Sequence, residues 1–149
     1  MTSNLAGGGV TITGVGQTLA AVFNAGAGLT VATSDLQAAS GAFTPVTLAL
    51  NANNTVIPAA NGAPILGGVK IVEERVQEGV TLATVQLNGG MRFRFTTGDT
   101  VAVGDSIIGG GGGTVRKATG RNNTTVIARD NVNQLVTVLF GYINGYGVV

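Results

Sequence analysis

The chain has 149 residues, a net charge of +1, no cysteine and no histidine. These numbers exclude a disulfide framework and zinc sites built from cysteine and histidine, and the lack of a charged block argues against nucleic-acid binding. Charge is also unevenly spread, because the first 69 residues carry a single ionisable side chain, Asp35. A surface with so few charges has little to prevent association, so this segment is predicted to be covered by other subunits.

Burial is expected to be modest for a chain of this length. Aromatic residues make up only 5% of the sequence, and there are 25 glycines, which lose much conformational entropy on folding. Oligomerisation is the simplest way to supply more buried surface. The chain shows no secretory signal pattern and no apolar run long enough to span a membrane, so we expect a soluble protein made inside the cell.

In the first half of the chain, glycines and short apolar runs alternate. Three consecutive glycines within residues 1–9 predict a flexible N-terminal arm. Residues 18–23 are compatible with a strand or a helical turn, and Asp35 near the start of 34–41 favours a short helix ending at Gly41. The remaining predicted elements are strands at 10–13, 44–50 and 55–57.

The second half is typical of a β-structure. Asn88-Gly89 between two β-rich runs predicts a hairpin. In the outgoing strand, alternation places Met91, Phe93 and Phe95 towards the core, with Arg92 and Arg94 towards solvent or a partner. The predicted strands are 69–76, 81–87, 91–95, 100–108, 114–119, 124–129 and 134–142. The fold class is therefore all-β, a small barrel or sandwich with at most one or two short helices.

The sequence offers little for catalysis. Without histidine or cysteine, the serines lack the usual activating base, although a pairing with Lys70 or Lys117 stays open. Asp99 and Asp105 flank one predicted strand, and they are interpreted as turn residues that bond the local backbone rather than as a cation site. We predict no enzyme, no catalytic or metal-binding residue and no cofactor.

The glycine runs also lack a ligand motif. Residues 14–18 have no P-loop lysine, and Gly109 to Gly113 lead into a strand rather than a helix, so they are interpreted as a flexible hairpin loop. Arg92 and Arg94 have two interpretations. They bind an acidic or phosphate-bearing partner, or they keep the strand surface soluble.

One sequence pattern in the second half resembles a known family. Val101-Ala102-Val103-Gly104-Asp105-Ser106-Ile107-Ile108 is followed by a Gly-Thr-Val-Arg-Lys-Ala run and two valine-rich strands, at 113–119, 126–128 and 135–140. This pattern is similar to the small β-barrel decoration, or cement, proteins of tailed-bacteriophage capsids, over about 40 residues. The resemblance implies a non-enzymatic virion protein, made in the host cytoplasm, that binds the outside of the shell across major capsid subunits, often as a homotrimer.

Taken with that resemblance, the sequence predicts three regions. They are an arm at 1–9, a charge-poor β-rich segment at 10–68 that packs on partner subunits, and a β-barrel core at 69–149. The predicted partners are the major capsid protein and further copies of the chain, with no nucleic acid or membrane. The alternatives are a tail or other virion β-protein and, with less support, a carbohydrate-binding or adhesive sandwich. The residues predicted to contact the capsid or sister subunits are Thr2, Ser3, Asn4, Leu5, Arg92 and Arg94.

Overall fold

A computed structural model describes residues 19–33 and 41–141, which form ten strands and, at 31–33, one helical turn. The all-β prediction is confirmed. The first five strands are β1 (Ala20–Ala25), β2 (Thr44–Leu48), β3 (Thr55–Pro58), β4 (Gly67–Arg75) and β5 (Val80–Gln86). The second five are β6 (Gly89–Phe95), β7 (Ile107–Gly111), β8 (Thr114–Lys117), β9 (Thr124–Asp130) and β10 (Leu135–Phe140).

Strands β1 to β5 form a closed barrel in the order β1-β3-β2-β4-β5. Only the β1–β3 pair is parallel, and β5 pairs with β1 to complete the circle. We call this unit the first barrel. Its interior is filled by small branched residues, since β-branched side chains pack well on a pleated surface. The fully buried members include Val46, Val56, Val69 and Val85.

Strands β6 to β10 form a five-stranded sheet in the order β7-β8-β6-β10-β9. Again one pair, β6–β8, is parallel. The two outer strands meet through hydrogen bonds rather than a regular ladder. The N–H of Val126 donates to the Asp105 carbonyl at 2.8 Å, and the N–H of Ile107 donates to Thr124 Oγ1 at 2.9 Å. No ladder between β7 and β9 closes this sheet in the described part of the chain, and we call the unit the second barrel because its strand order matches that of the first.

The two barrels are the same unit used twice. Four of the five strand pairs of the first barrel recur, in the same directions, between the strands five places later, and the fifth pair, β2–β4, corresponds to the looser contact of β7 with β9. Even the β-bulge recurs, opposite Thr84-Val85 in the first barrel and opposite Thr137-Val138 in the second. Superimposing the strand registers pairs seven identical residues: Phe23 with Phe93, Thr55 with Thr114, Val56 with Val115, Val69 with Val126, Leu82 with Leu135, Thr84 with Thr137 and Val85 with Val138.

The cores differ in residue size. The second barrel buries Met91, Phe93 and Phe95, so the predicted alternation along that strand is confirmed. Phe140 completes an aromatic pair with Phe93, their ring centroids 5.9 Å apart. The first barrel has only Phe23 beside its core, half-buried.

The hairpin predicted at Asn88-Gly89 is wrong. The strands on either side exist, but β5 pairs with β1 and β4 whereas β6 pairs with β8 and β10, so the Asn-Gly turn carries the chain from one barrel into the other. The buried side chain of Gln86 supplies a substitute for hairpin bonding, donating from Nε2 to the carbonyls of Asn88 at 2.9 Å and Gly90 at 3.2 Å. The Asn88-Gly89 sequence therefore forms a turn, but the two strands that flank it do not pair with each other.

The strand predicted at 100–108 and the flexible loop predicted at Gly109 to Gly113 are also wrong. A turn interrupts the chain at Gly104, which has a φ of 93°, and the strand begins only at Ile107 and includes Gly109 to Gly111. A Cβ on Gly109 would overlap the carbonyl oxygen of Ala60. Gly109 and Gly110 are needed for close packing, and Gly112-Gly113, both with positive φ, form the tight two-residue turn.

The predicted boundary at residue 68 is not a boundary between the two sheets. β4 and β5 belong to the first barrel, and the ionisable side chains among its described residues lie between Lys70 and Glu78, so the change in charge falls inside one folded unit. The predicted arm at 1–9, the strand at 10–13 and nearly all of the helix at 34–41 lie outside the described residues. The segment at 18–23, left open as strand or turn, contributes to strand β1.

Candidate functional site

The carboxylates of the second barrel organise turns. Asp99 Oδ2 accepts from the backbone N–H of Val101 at 3.1 Å and of Lys117 at 2.9 Å, and Asp105 Oδ2 accepts from the N–H of Ala102 at 2.8 Å. The turn role predicted for both residues is confirmed. Within residues 19–33 and 41–141, no three His, Cys, Asp or Glu side chains come together as metal ligands.

Two exposed charged groups have shifted pKa values with local causes. The side-chain and backbone N–H groups of Asn133, with a smaller contribution from Arg92, lower the pKa of the Asp130 carboxyl. The hydrogen bond from Arg75 to Glu73, at 2.9 Å, raises the pKa of the Arg75 guanidinium. Both shifts arise in the turns that end β9 and β4, and such solvent-exposed pairs contribute little to stability.

The predicted contact residues have different outcomes. Arg92 and Arg94 lie on the outward side of β6, with Arg92 exposed and Arg94 half-buried. Arg92 lies beside Thr137 and lines two clefts, of about 190 and 370 Å³, whereas Arg94 lines a different cleft of about 370 Å³ between the barrels. The two guanidinium groups therefore face separate clefts. Thr2, Ser3, Asn4 and Leu5 lie outside the described residues, and their role stays a prediction.

The outward sheet face of the first barrel is apolar where the second barrel carries a cation. On β1, β5 and β4, Val22, Thr84 and Ile71 are cross-strand neighbours. We call these three residues the apolar face. Val22 is 60% exposed and Ile71 54% exposed. The equivalent row in the second barrel is Arg92, Thr137 and Ala128.

A second apolar surface lies where β2 ends. Leu48 is 53% exposed and Leu50, in the turn that follows, is 91% exposed. Together with three residues from the β3–β4 loop they line an open cleft of about 370 Å³. Its lining contains no charged group and consists of Thr47, Leu48, Leu50, Pro64, Ile65 and Leu66. We call this cleft the groove.

Sequence reasoning missed both surfaces. The run at 44–50 was assigned to a single strand, but Leu50 falls in a turn, where an exposed leucine has no role in the core of its own barrel. The signal available was Leu48-Ala49-Leu50 running directly into an asparagine-rich turn. Contiguous exposed apolar side chains of this kind are typical of interaction sites.

The chain matches no protein-family model, no curated protein and no solved structure at a significant level. In the parts of the chain that the structure describes, no helix has the length and apolar character needed to cross a membrane. The two apolar surfaces and the charge distribution are therefore the features that bear on function.

Proposed function

We propose that this protein is a non-enzymatic structural component of a virion, which binds the outer surface of a tailed-phage capsid and stabilises the shell as a homotrimer. The observation that supports this proposal is the apolar face of the first barrel. Its three side chains are uncharged, and two of them are large, apolar and more than half exposed. A decoration protein needs such a surface, because its work is to cover another protein.

The physical chemistry of the surface suits docking. Burying Val22 and Ile71 removes apolar area from water, which is favourable by roughly 25 cal/mol per Å² before the costs of association. None of these three side chains is charged, so burying them desolvates no ion, which is the largest penalty of a buried interface. Repetition over a symmetric shell makes weak individual contacts strong together.

The second barrel suits a supporting role. Its aspartates at 99, 105 and 130 accept hydrogen bonds from turn backbone, which leaves these carboxylates committed to holding loops. The sequence also has no histidine or cysteine to supply a general base or a thiolate nucleophile. These features favour a scaffold over an enzyme.

The test is co-sedimentation of the purified protein with empty shells, assembled from the major capsid protein that the proposal places in the same phage genome. We expect the wild-type protein to pellet with the shells and to raise their disruption temperature. The double variant Val22→Asp/Ile71→Asp should lose most binding, because two charges would be buried without partners. Ala128→Asp, at the position in the second barrel equivalent to Ile71, is the matched control and should bind normally.

A second variant tests the predicted arm. Removal of residues 2–9 should weaken shell binding while leaving the circular dichroism spectrum and melting temperature unchanged. Wild-type protein that fails to bind shells would overturn the capsid proposal, and binding to purified tails instead would favour the alternative virion role.

A further inference from the structure

Within the chain, the first barrel contacts the second through its β3–β4 loop. The β3–β4 loop of the first barrel, residues 59–66, lies along the free side of β7. The N–H of Gly109 donates to the Ala63 carbonyl at 2.8 Å, and the N–H of Gly62 donates to the Gly109 carbonyl at 2.9 Å. We call this loop the junction loop. It satisfies the outward backbone groups of β7 as an added strand would.

The first barrel has an equivalent position, at Leu48, which no described residue covers in this way. Gly109 pairs with Val115 and Leu48 pairs with Val56, and these two valines are equivalent, so Leu48 occupies the place of Gly109. The N–H of Ala49 donates to the Thr55 carbonyl, which directs the backbone groups of Leu48 away from β3. No described residue gives Leu48 the pair of hydrogen bonds that the junction loop gives Gly109. Leu48 lies in the groove, so the uncovered position is also apolar.

The second barrel has its own copy of the surface that makes the contact, which does not cover β2 among residues 19–33 and 41–141. In the first barrel that surface is the junction loop with Phe43, which packs edge-on against Phe93 at 6.4 Å between ring centroids. In the second barrel the equivalent loop is 118–123, and the residue equivalent to Phe43 is Gly104, which follows Val103. Arg121 Nη1 donates to the Gly104 carbonyl at 2.9 Å and ties the loop to this turn. Val103 is 64% exposed, and we call Val103 with loop 118–123 the free tip.

We propose that copies of the chain associate head to tail, with the free tip of one copy seated in the groove of the next. The contact repeats, between copies, the position of the contact made within each copy. Its chemistry differs in one respect. A Cβ on Gly109 would overlap the Ala60 carbonyl, so Leu48 keeps an incoming loop further from the backbone. The contact between copies is accordingly made by side chains, with Val103 against Leu48 and Leu50.

This inference rests on the proposed function only for self-association, and it does not require a capsid. A head-to-tail contact uses two different surfaces, so it closes into a ring or continues as a filament. A closed ring of copies would contain barrels that alternate first and second. Apolar residues in the groove would then be buried between subunits, while the apolar face of each first barrel stays free for the shell.

The experiment measures the mass of the full chain in solution, without shells, by sedimentation velocity and light scattering. We expect the wild type to be oligomeric at about 100 μM, where even a micromolar contact is populated. Leu50→Asp and Val103→Asp should each weaken association by at least about tenfold, since each buries a charge in an apolar contact. Val132→Asp is the matched control, because Val132 is 92% exposed but belongs to neither surface, and it should associate as the wild type does.

Mixing the two variants distinguishes the geometry. Leu50→Asp retains an intact free tip and Val103→Asp retains an intact groove, so an equal mixture should form heterodimers that neither variant forms alone. Disruption by Leu50→Asp but not by Val103→Asp would indicate groove-to-groove pairing and overturn the proposal, as would a monomeric wild type. Normal association without shell binding would overturn the capsid proposal and leave this one intact.

Discussion

The first and second barrels share a strand order, a parallel pair and a bulge, but they use different residues to fill and cover them. The first packs valine and alanine inside and presents Val22 and Ile71 outside. The second packs phenylalanine and methionine inside and presents Arg92 and Ala128 at the same outward positions. One pairing pattern thus tolerates two cores and two surfaces, because main-chain bonds and the pleat define the barrel while side chains tune its stability and its contacts.

The difference in core size gives the largest expected effect. Phe93→Ala should cost about 3–5 kcal/mol of unfolding free energy, because a fully buried ring at the centre of the aromatic cluster is removed. Phe23→Ala, at the equivalent position but half-buried, should cost clearly less. Urea unfolding of both variants measures the contrast, and equal losses would show that the two cores depend on their rings to the same degree.

The junction between the barrels gives the next effect. Gly109→Ala should destabilise the protein by about 1–3 kcal/mol, because the new methyl group must displace the backbone at Ala60. Gly120→Ala serves as the control, since an added Cβ there meets nothing within 4 Å. Thermal melts of the two variants test whether the glycine run is needed for packing. A neutral Gly109→Ala would restore the interpretation of that run as a flexible loop.

The smallest expected effect concerns equivalent hairpin positions. Glu73 in the first barrel and Asp130 in the second barrel are equivalent positions. Of the two carboxylates, Asp130 accepts hydrogen bonds from backbone N–H groups, those of Val132 at 2.9 Å and Asn133 at 3.1 Å. The lowered pKa of Asp130 means that its ionised form stabilises the fold at pH above its ordinary value of 3.8. This contribution is lost as the pH falls through the lower folded-state pKa.

Melting temperatures of the wild type and Asp130→Asn check this directly. The wild type should be slightly more stable at pH 7, and the difference should shrink as the pH is lowered below 3.8. A difference that stays constant between pH 7 and pH 2.5 would assign the effect to the amide substitution itself and not to the carboxylate charge.

Much of the secondary structure was predictable from residue pattern. The alternation of Met91, Phe93 and Phe95 with arginines identified the buried side of β6, and the turn roles of Asp99 and Asp105 followed from their positions beside glycine. Such features depend on neighbours within a few residues. The duplication was not predictable in this way, because its seven identical residues lie in strands that are separated by loops of unequal length.

The candidate surfaces were the least predictable part. Alternation places Arg92 and Arg94 on the same side of β6, but they line different clefts, since the barrel curves and the first barrel packs beside Arg94. The groove arises from Leu48 and Leu50 meeting Pro64 and Leu66, which are brought together by the β2–β3 pairing and the junction loop. A leucine pattern alone does not tell a core position from an exposed one.

By itself, the sequence determined that this is a β-protein with a charge-poor first half, few aromatic anchors and no histidine or cysteine, because composition and alternation act locally. Tertiary structure alone decided that Asn88-Gly89 links two barrels, that Gly109 to Gly111 form a close-packed strand, and that the change in charge falls inside the first barrel. Strand partners are chosen by contacts between distant residues, and those contacts leave no periodic trace along the chain.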